Sequence, residues 1–285
     1  MKKSLTFCFG MLIVLTTAFS QGYTGDSWAQ VKAKGEGSIS LAYVETFGFV
    51  YKENGKLTGV CVDIIGDFVK YVNEKKNVKL TSQFVGDGES FKGMYDRVKA
   101  SNGGVLGLGN ITITEERKRE VKFSPPYITN VVFLITQNNV PTLEKLEDLS
   151  TSFARLTAYT AKGTLNEKRI NELKQKYFPA MKVTFTATSQ ETLEKITSGA
   201  SGFAYLDLAF YLEAVQQRKP LKRHPVGDVA SEKFGFVMPT NSDWQPILDE
   251  FFKANGGYTN TPEYKSILRK HLGETGLKLL QGAVK

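Results

Sequence analysis

An α/β fold in two lobes is what the sequence predicts, and three observations carry it. Short β-branched runs alternate with amphipathic helical segments, the pattern of mostly parallel sheets covered by helices on both faces. The alternation runs once through residues 38–136 and begins again at residue 155, so one architecture is laid down twice. The residues best suited to hold a charged ligand fall just after strands in both sets, where ligands sit in open α/β sheets.

Ahead of this pattern the chain opens on Met1, Lys2 and Lys3, then an apolar run over residues 5–19 with Ala18 and Ser20 at its end. A charged start, an apolar stretch and a small-residue end make a secretory signal peptide over residues 1–20, with cleavage expected after Ser20. Cys8 lies within it, which leaves Cys61 as the one thiol of the exported chain and excludes an intramolecular disulfide. Stability must then come from hydrophobic cores, and the remaining length suffices for one large domain or two ordinary ones. No later segment is apolar enough to span a bilayer, so the exported chain is expected to be soluble. Lys and Arg number 37 against 29 Asp and Glu, but they are scattered and not interleaved with aromatics, which argues against a nucleic-acid partner.

The first set reads as a strand over 38–44, an aromatic-rich turn over 47–59 with the turn dipeptide Asn54-Gly55, and a helix over 60–73. In that helix Ile64, Ile65, Phe68, Val69 and Val72 recur at helical spacing. A strand over 78–85, a helix over 91–100 and strands over 105–108 and 131–136 follow. The second set has strands over 155–159, 183–185 and 203–206 and helices over 165–177, 188–197 and 208–217. A strand over 234–238 comes next. Thr188 with Glu191, and Ser242 with Gln245, have the spacing of capping boxes, and Pro262 opens the last helix.

The stretch over 109–127, GNITITEERKREVKFSPPY, organises the rest. Arg117 stands just past the strand over 105–108 with threonine hydroxyls beside it, and a guanidinium grips a carboxylate or phosphate through two parallel bonds. Its neighbours Glu115, Lys118, Arg119 and Glu120 read as solvated surface. Gly163 and Thr164 follow a strand and open a helix whose first amides are donors; an anion site and a plain helix cap both fit. Asp207 ends a strand ahead of an apolar helix, as an N-cap or as the holder of a cation. Together, Arg117 with the Gly163–Thr164 amides and Asp207 match the two charges of an α-amino acid. Tyr43, Phe47, Phe49, Phe91 and Tyr95 lie near strand ends or in loops of the first set, some for the core and one or two for a ligand.

Catalytic signals are thin. His224 and His271 are far apart, and no zinc-binding motif, Cys/His metal cluster, nucleophile elbow or phosphate-binding loop is present, so neither a cofactor nor a metal is expected.

These motifs occur in the order found in a known family, and over residues 38–273 the chain resembles the bacterial extracellular solute-binding proteins of family 3. Gly55-Lys-Leu-Thr-Gly59 with Val62-Asp63 matches an early helix start. Thr112-Ile-Thr114, Glu116-Arg117, Phe123-Ser124 and Pro126-Tyr127 match the central signature. Lys162-Gly163-Thr164, the run from Gly199 to Asp207, Phe234-Gly-Phe-Val and Leu268-Arg-Lys-His-Leu-Gly273 follow in family order.

The resemblance implies a type II periplasmic-binding-protein fold with two hinge crossings, over 129–132 and 229–233. Residues 37–130 with 231–285 would form lobe 1 and residues 131–230 lobe 2. It implies a periplasmic, monomeric binding component that takes a polar amino acid or related zwitterion between its lobes and serves the membrane permease of an ABC importer. Arg117, Thr112 and Thr164 would hold the ligand carboxylate, Asp207 its ammonium, and Phe91 and Phe47 or Phe49 would flank its side chain. Asn110 stands where the family has a small residue, beside the ammonium site. Leu165 and Gly202 also depart from the pattern, as does Thr46-Phe-Gly-Phe49 at the early aromatic. A cyclohexadienyl dehydratase-like enzyme and a ligand-sensing subunit are the alternatives on this scaffold.

Overall fold

The structure is a computed structural model that describes residues 22–88, 90–199 and 201–282. The signal peptide expected over 1–20 lies outside the described residues. In the first part, α1 (Trp28–Lys34) leads into β1 (Glu36–Val44), α2 (Val60–Lys76), β2 (Lys79–Gly88), α3 (Phe91–Lys99), β3 (Val105–Leu108) and β4 (Lys122–Phe123). The chain then runs through β5 (Ile128–Gln137), β6 (Thr157–Ala161), α4 (Leu165–Tyr177), β7 (Lys182–Thr186), α5 (Ser189–Thr197), β8 (Gly202–Asp207), α6 (Leu208–Gln216) and β9 (Leu221–Arg223). It returns through β10 (Val229–Phe234) and β11 (Val237–Met238) to α7 (Gln245–Lys253) and α8 (Pro262–Gly282).

Two main sheets result, one in each lobe, beside two small two-stranded ones. The first has the order β2-β1-β3-β11-β4; the second has β7-β6-β8-β5-β9, with β10 also paired to β5. Pairs of β1 with β2 and β3, and of β6 with β7 and β8, are parallel. The pairs made by β5, β10 and β11 are antiparallel, so the sheets are mixed and not mostly parallel as the alternation suggested. The reason is topological: strands that carry the chain out of one sheet and back meet that sheet from opposite directions.

The two crossing segments are themselves paired. Asn130 faces Glu232 and Thr129 faces Lys233, with an irregularity between Ala230 and Glu232. The single strand expected over 234–238 is divided, because Phe234 closes β10 on one sheet and Val237 opens β11 on the other.

Caps show which local signals hold. Thr188 Oγ1 accepts the Glu191 amide at 3.0 Å, so that N-cap forms, but Glu191 reaches back to the Ala187 amide at 2.8 Å and not to that of Thr188, which leaves the box half made. The Ser242–Gln245 box does not form: α7 starts after Trp244, and the Gln245 side chain donates to the Phe123 carbonyl at 3.1 Å. Asp243 instead accepts the Trp28 and Ala29 amides at 2.8 and 2.9 Å, capping α1 from 215 residues away. That helix has no long apolar repeat, and the sequence reading does not include it.

The first-lobe core is built where α2 and α7 bury their apolar stripes, with Phe68 set edge-on to Trp244 and Phe251. Tyr127 lies within it, stacked on Phe236 at 4.8 Å. Its hydroxyl donates to the Gly109 carbonyl at 2.6 Å and accepts from Cys61 Sγ at 3.4 Å. Burial pushes the Cys61 thiol up to about 12. Among the described residues no helix is long and apolar enough to cross a membrane.

Candidate functional site

A cleft of about 810 Å³ lies among the strand ends of the two sheets. Its floor starts where β3 ends. Gly109 takes φ +140°, a conformation that suits glycine, and Tyr127 pins its carbonyl. Asn110 follows and is turned to the cleft, its Oδ1 3.3 Å from the Thr46 hydroxyl. Its Nδ2 donates to Asp207 Oδ2 at 2.7 Å.

Thr112 bridges to Phe234, which anchors the loop to the returning strand. Its carbonyl accepts Arg117 Nη1 at 3.0 Å, and its hydroxyl donates to Glu232 at 3.2 Å. Arg117 begins a short 3-10 turn (Arg117–Arg119), with its amide donating to Thr114 Oγ1 at 3.1 Å. The guanidinium lies over the Phe91 ring at 4.8 Å and the Tyr95 ring at 5.7 Å. Those rings fix its plane and exclude water from one side. Burial lowers its pKa, though an arginine stays protonated. Among the described residues no carboxylate pairs with it.

Asp207 closes β8 at the N-cap place of α6, but its side chain makes no cap bond. Its carboxylate turns to Asn110 and to Asn130, whose Nδ2 donates at 2.9 Å. Burial raises its pKa, against the pull of Arg169, Asn130, Asn110 and Arg117. A charged carboxylate here is short of positive charge.

Thr164 is an N-cap as well as a lining residue: its hydroxyl accepts the Glu167 amide at 3.3 Å. Gly163 is placed differently. Its amide already donates to Glu167 at 2.6 Å, so it is no free donor, and it does not line the cleft. Phe91 and Phe47 both line it, with Phe47 stacked on Tyr51 at 6.0 Å. Phe49 and Tyr43 are buried in the cores. His224 and His271 lie outside the cleft, and among the described residues no cluster of His, Cys, Asp and Glu can hold a metal.

The comparisons with known proteins bear on this geometry. Residues 39–274 match the family described as bacterial extracellular solute-binding proteins, family 3. The chain belongs to that family.

Among its relatives is YxeM of Bacillus subtilis, a probable amino-acid-binding protein, 23% identical over 282 residues and 96% of each chain. A glutamine-binding protein of Geobacillus stearothermophilus is 26% identical over 151 residues, which is 50% of this chain and 52% of that one. Among solved structures, an ancestral arginine-binding protein bound to arginine superposes with a TM-score of 0.64 at 24% identity. It covers 83% of this chain and 98% of its own, a likeness of fold.

This solute-binding protein has site residues that its sequence did not announce. Arg169 reaches the cleft from α4, bonds Asn166 Oδ1 at 2.7 Å and pairs with Glu232 of β10. Asn130 joins Glu232 at 3.5 Å and Asp207 at 2.9 Å. Glu213 lines the cleft from α6. Asn166 and Arg169 are three apart on the helix that Thr164 opens, so helical spacing from that turn was the available signal. Asn130 and Glu232 are brought together only by the pairing of β5 and β10.

Proposed function

We propose that this solute-binding protein captures an α-amino acid or related zwitterion in the cleft and closes its lobes around it. One observation carries the reading: Arg117 and Asp207, of opposite charge, face the same cleft, and neither has an ion-pair partner among the described residues. A carboxylate at Arg117 replaces water with a bidentate charged pair on a guanidinium already fixed by Phe91. An ammonium at Asp207 supplies the missing positive charge.

In this reading residues 37–130 with 231–285 act as one lobe and residues 131–230 as the other, turning about the paired strands at Asn130 and Glu232. Residues 1–20 direct export to the periplasm, and the protein works as a monomer that presents its closed form to the permease of an ABC importer. No covalent step is required. An enzyme on this scaffold would need an acid/base carboxylate or a histidine at the reacting carbon; both histidines lie outside the cleft, so that role would fall to its carboxylates, which this reading gives to cation binding.

Calorimetry with an amino-acid panel tests the reading. Arg117→Ala loses two charged hydrogen bonds of about 1.5–3 kcal/mol each, a drop in affinity of about a hundredfold or more. The variant keeps its melting temperature within a few degrees. An unchanged affinity overturns the site.

A further inference from the structure

The charges shielded inside the cleft do not cancel. Arg117 and Arg169 are partly buried, and Arg169 is paired with Glu232, so among the described residues one shielded positive charge is left without an anion. Asp207 and Glu213 are the shielded carboxylates on the lining, and neither has a cation within ion-pair distance among those residues. Charges nearer the mouth behave differently: Lys52 and Lys92 are exposed and pair with Glu45 and Asp96, and Lys162 is exposed to solvent, which screens it.

Glu213 is 8% exposed, and its Oε1 accepts the side-chain amides of Gln190 at 3.0 Å and Gln217 at 3.1 Å. Two neutral donors orient the carboxylate without neutralising it. Among the described residues Oε2 accepts no hydrogen bond.

We infer that the ligand carries a second positive charge, on its side chain, and that Glu213 is the residue that selects it. The inference rests on the zwitterion reading above and names the class of amino acid: one whose side chain ends in an amine or a guanidinium. Both carboxylates line one cleft: Asp207 ends β8 at the N-cap place of α6, and Glu213 stands six residues on, within that helix. Phe210, between them in sequence, also lines the cleft and offers apolar surface to the methylene chain of such a side chain.

Titration calorimetry of the exported chain with L-lysine, L-arginine, L-glutamine and L-glutamate decides it. L-lysine or L-arginine binds at least tenfold more tightly than L-glutamine, and Glu213→Gln narrows that ratio to within about threefold. Wild-type selectivity is read independently of whether the variant folds. If L-glutamine or L-glutamate binds as tightly as the cationic pair, and Arg117→Ala abolishes it, the role of Glu213 is overturned while the zwitterion site stands. A selectivity ratio that survives Glu213→Gln in a folded variant also overturns it. If none of the four binds, both readings fall together.

Discussion

Asn110 donates to Asp207 across 2.7 Å, and the bond joins the two sheets: one residue follows β3 of the first, the other ends β8 of the second. That carboxylate is therefore held from the opposite lobe. Asn130, on the crossing strand, holds its second oxygen. Asp207→Asn removes the charge and keeps the shape. Affinity for an amino acid falls about a hundredfold or more by calorimetry. The ligand-free melting temperature stays level or rises, because burial disfavours the charge that is lost.

Binding should also depend on pH through the same group. Burial raises the Asp207 pKa, and the ionised form is the one that takes an ammonium. As pH falls through the raised value the carboxyl is protonated and affinity declines. The ligand-free fold gains from this group over that window, since the folded state binds the proton more tightly than the unfolded chain. The rise in melting temperature caused by ligand therefore shrinks in acid faster than in a protein with an ordinary aspartate.

Arg169 and Glu232 form a pair with side chains 14% and 11% exposed. Removing one partner leaves the other charge buried, at a cost of about 3 kcal/mol. Arg169→Met and Glu232→Gln should each destabilise, and the double variant should lose less than the two together. Denaturant unfolding of the four proteins checks it; strict additivity would mean the pair contributes no coupling.

His224 supplies a stability term of the opposite sign to Asp207. Its Nδ1 accepts the Leu143 amide at 2.9 Å, so Nε2 carries the proton towards Thr136 at 2.8 Å. Burial, with Lys222 nearby, lowers its pKa from 6.5 to about 4. The unfolded chain takes up a proton first as pH falls, so the stabilisation is whole above about 6.5 and lost by about 4. The window corresponds to about 3 kcal/mol. His224→Gln should unfold with a shallower pH slope between those values, whatever its stability at neutral pH.

How far the sequence reached depends on where each residue sits. Arg117, Asp207, Thr112 and Asn110 stand just past strands, and the alternation of strand and helix locates strand ends without knowledge of pairing. Helix α4 was legible from its first residue because Thr164 caps it locally. Arg169 and Glu213 lie within helices, where a charge reads as a solvated face until a neighbouring element covers it. Helix α1 escaped for a different reason: Ser27 and Gln30 cap it locally, but its seven residues bury only Val31, so no apolar repeat marks it.

Cys61 has a practical consequence. It is the only cysteine after residue 21, it is fully buried, and its thiol is far from ionised at neutral pH. A thiol-reactive dye will pass it by. A cysteine introduced at the exposed mouth, at Lys92 or Lys162, can be labelled alone, which turns the native chain into a fluorescent reporter of whatever solute its cleft takes up.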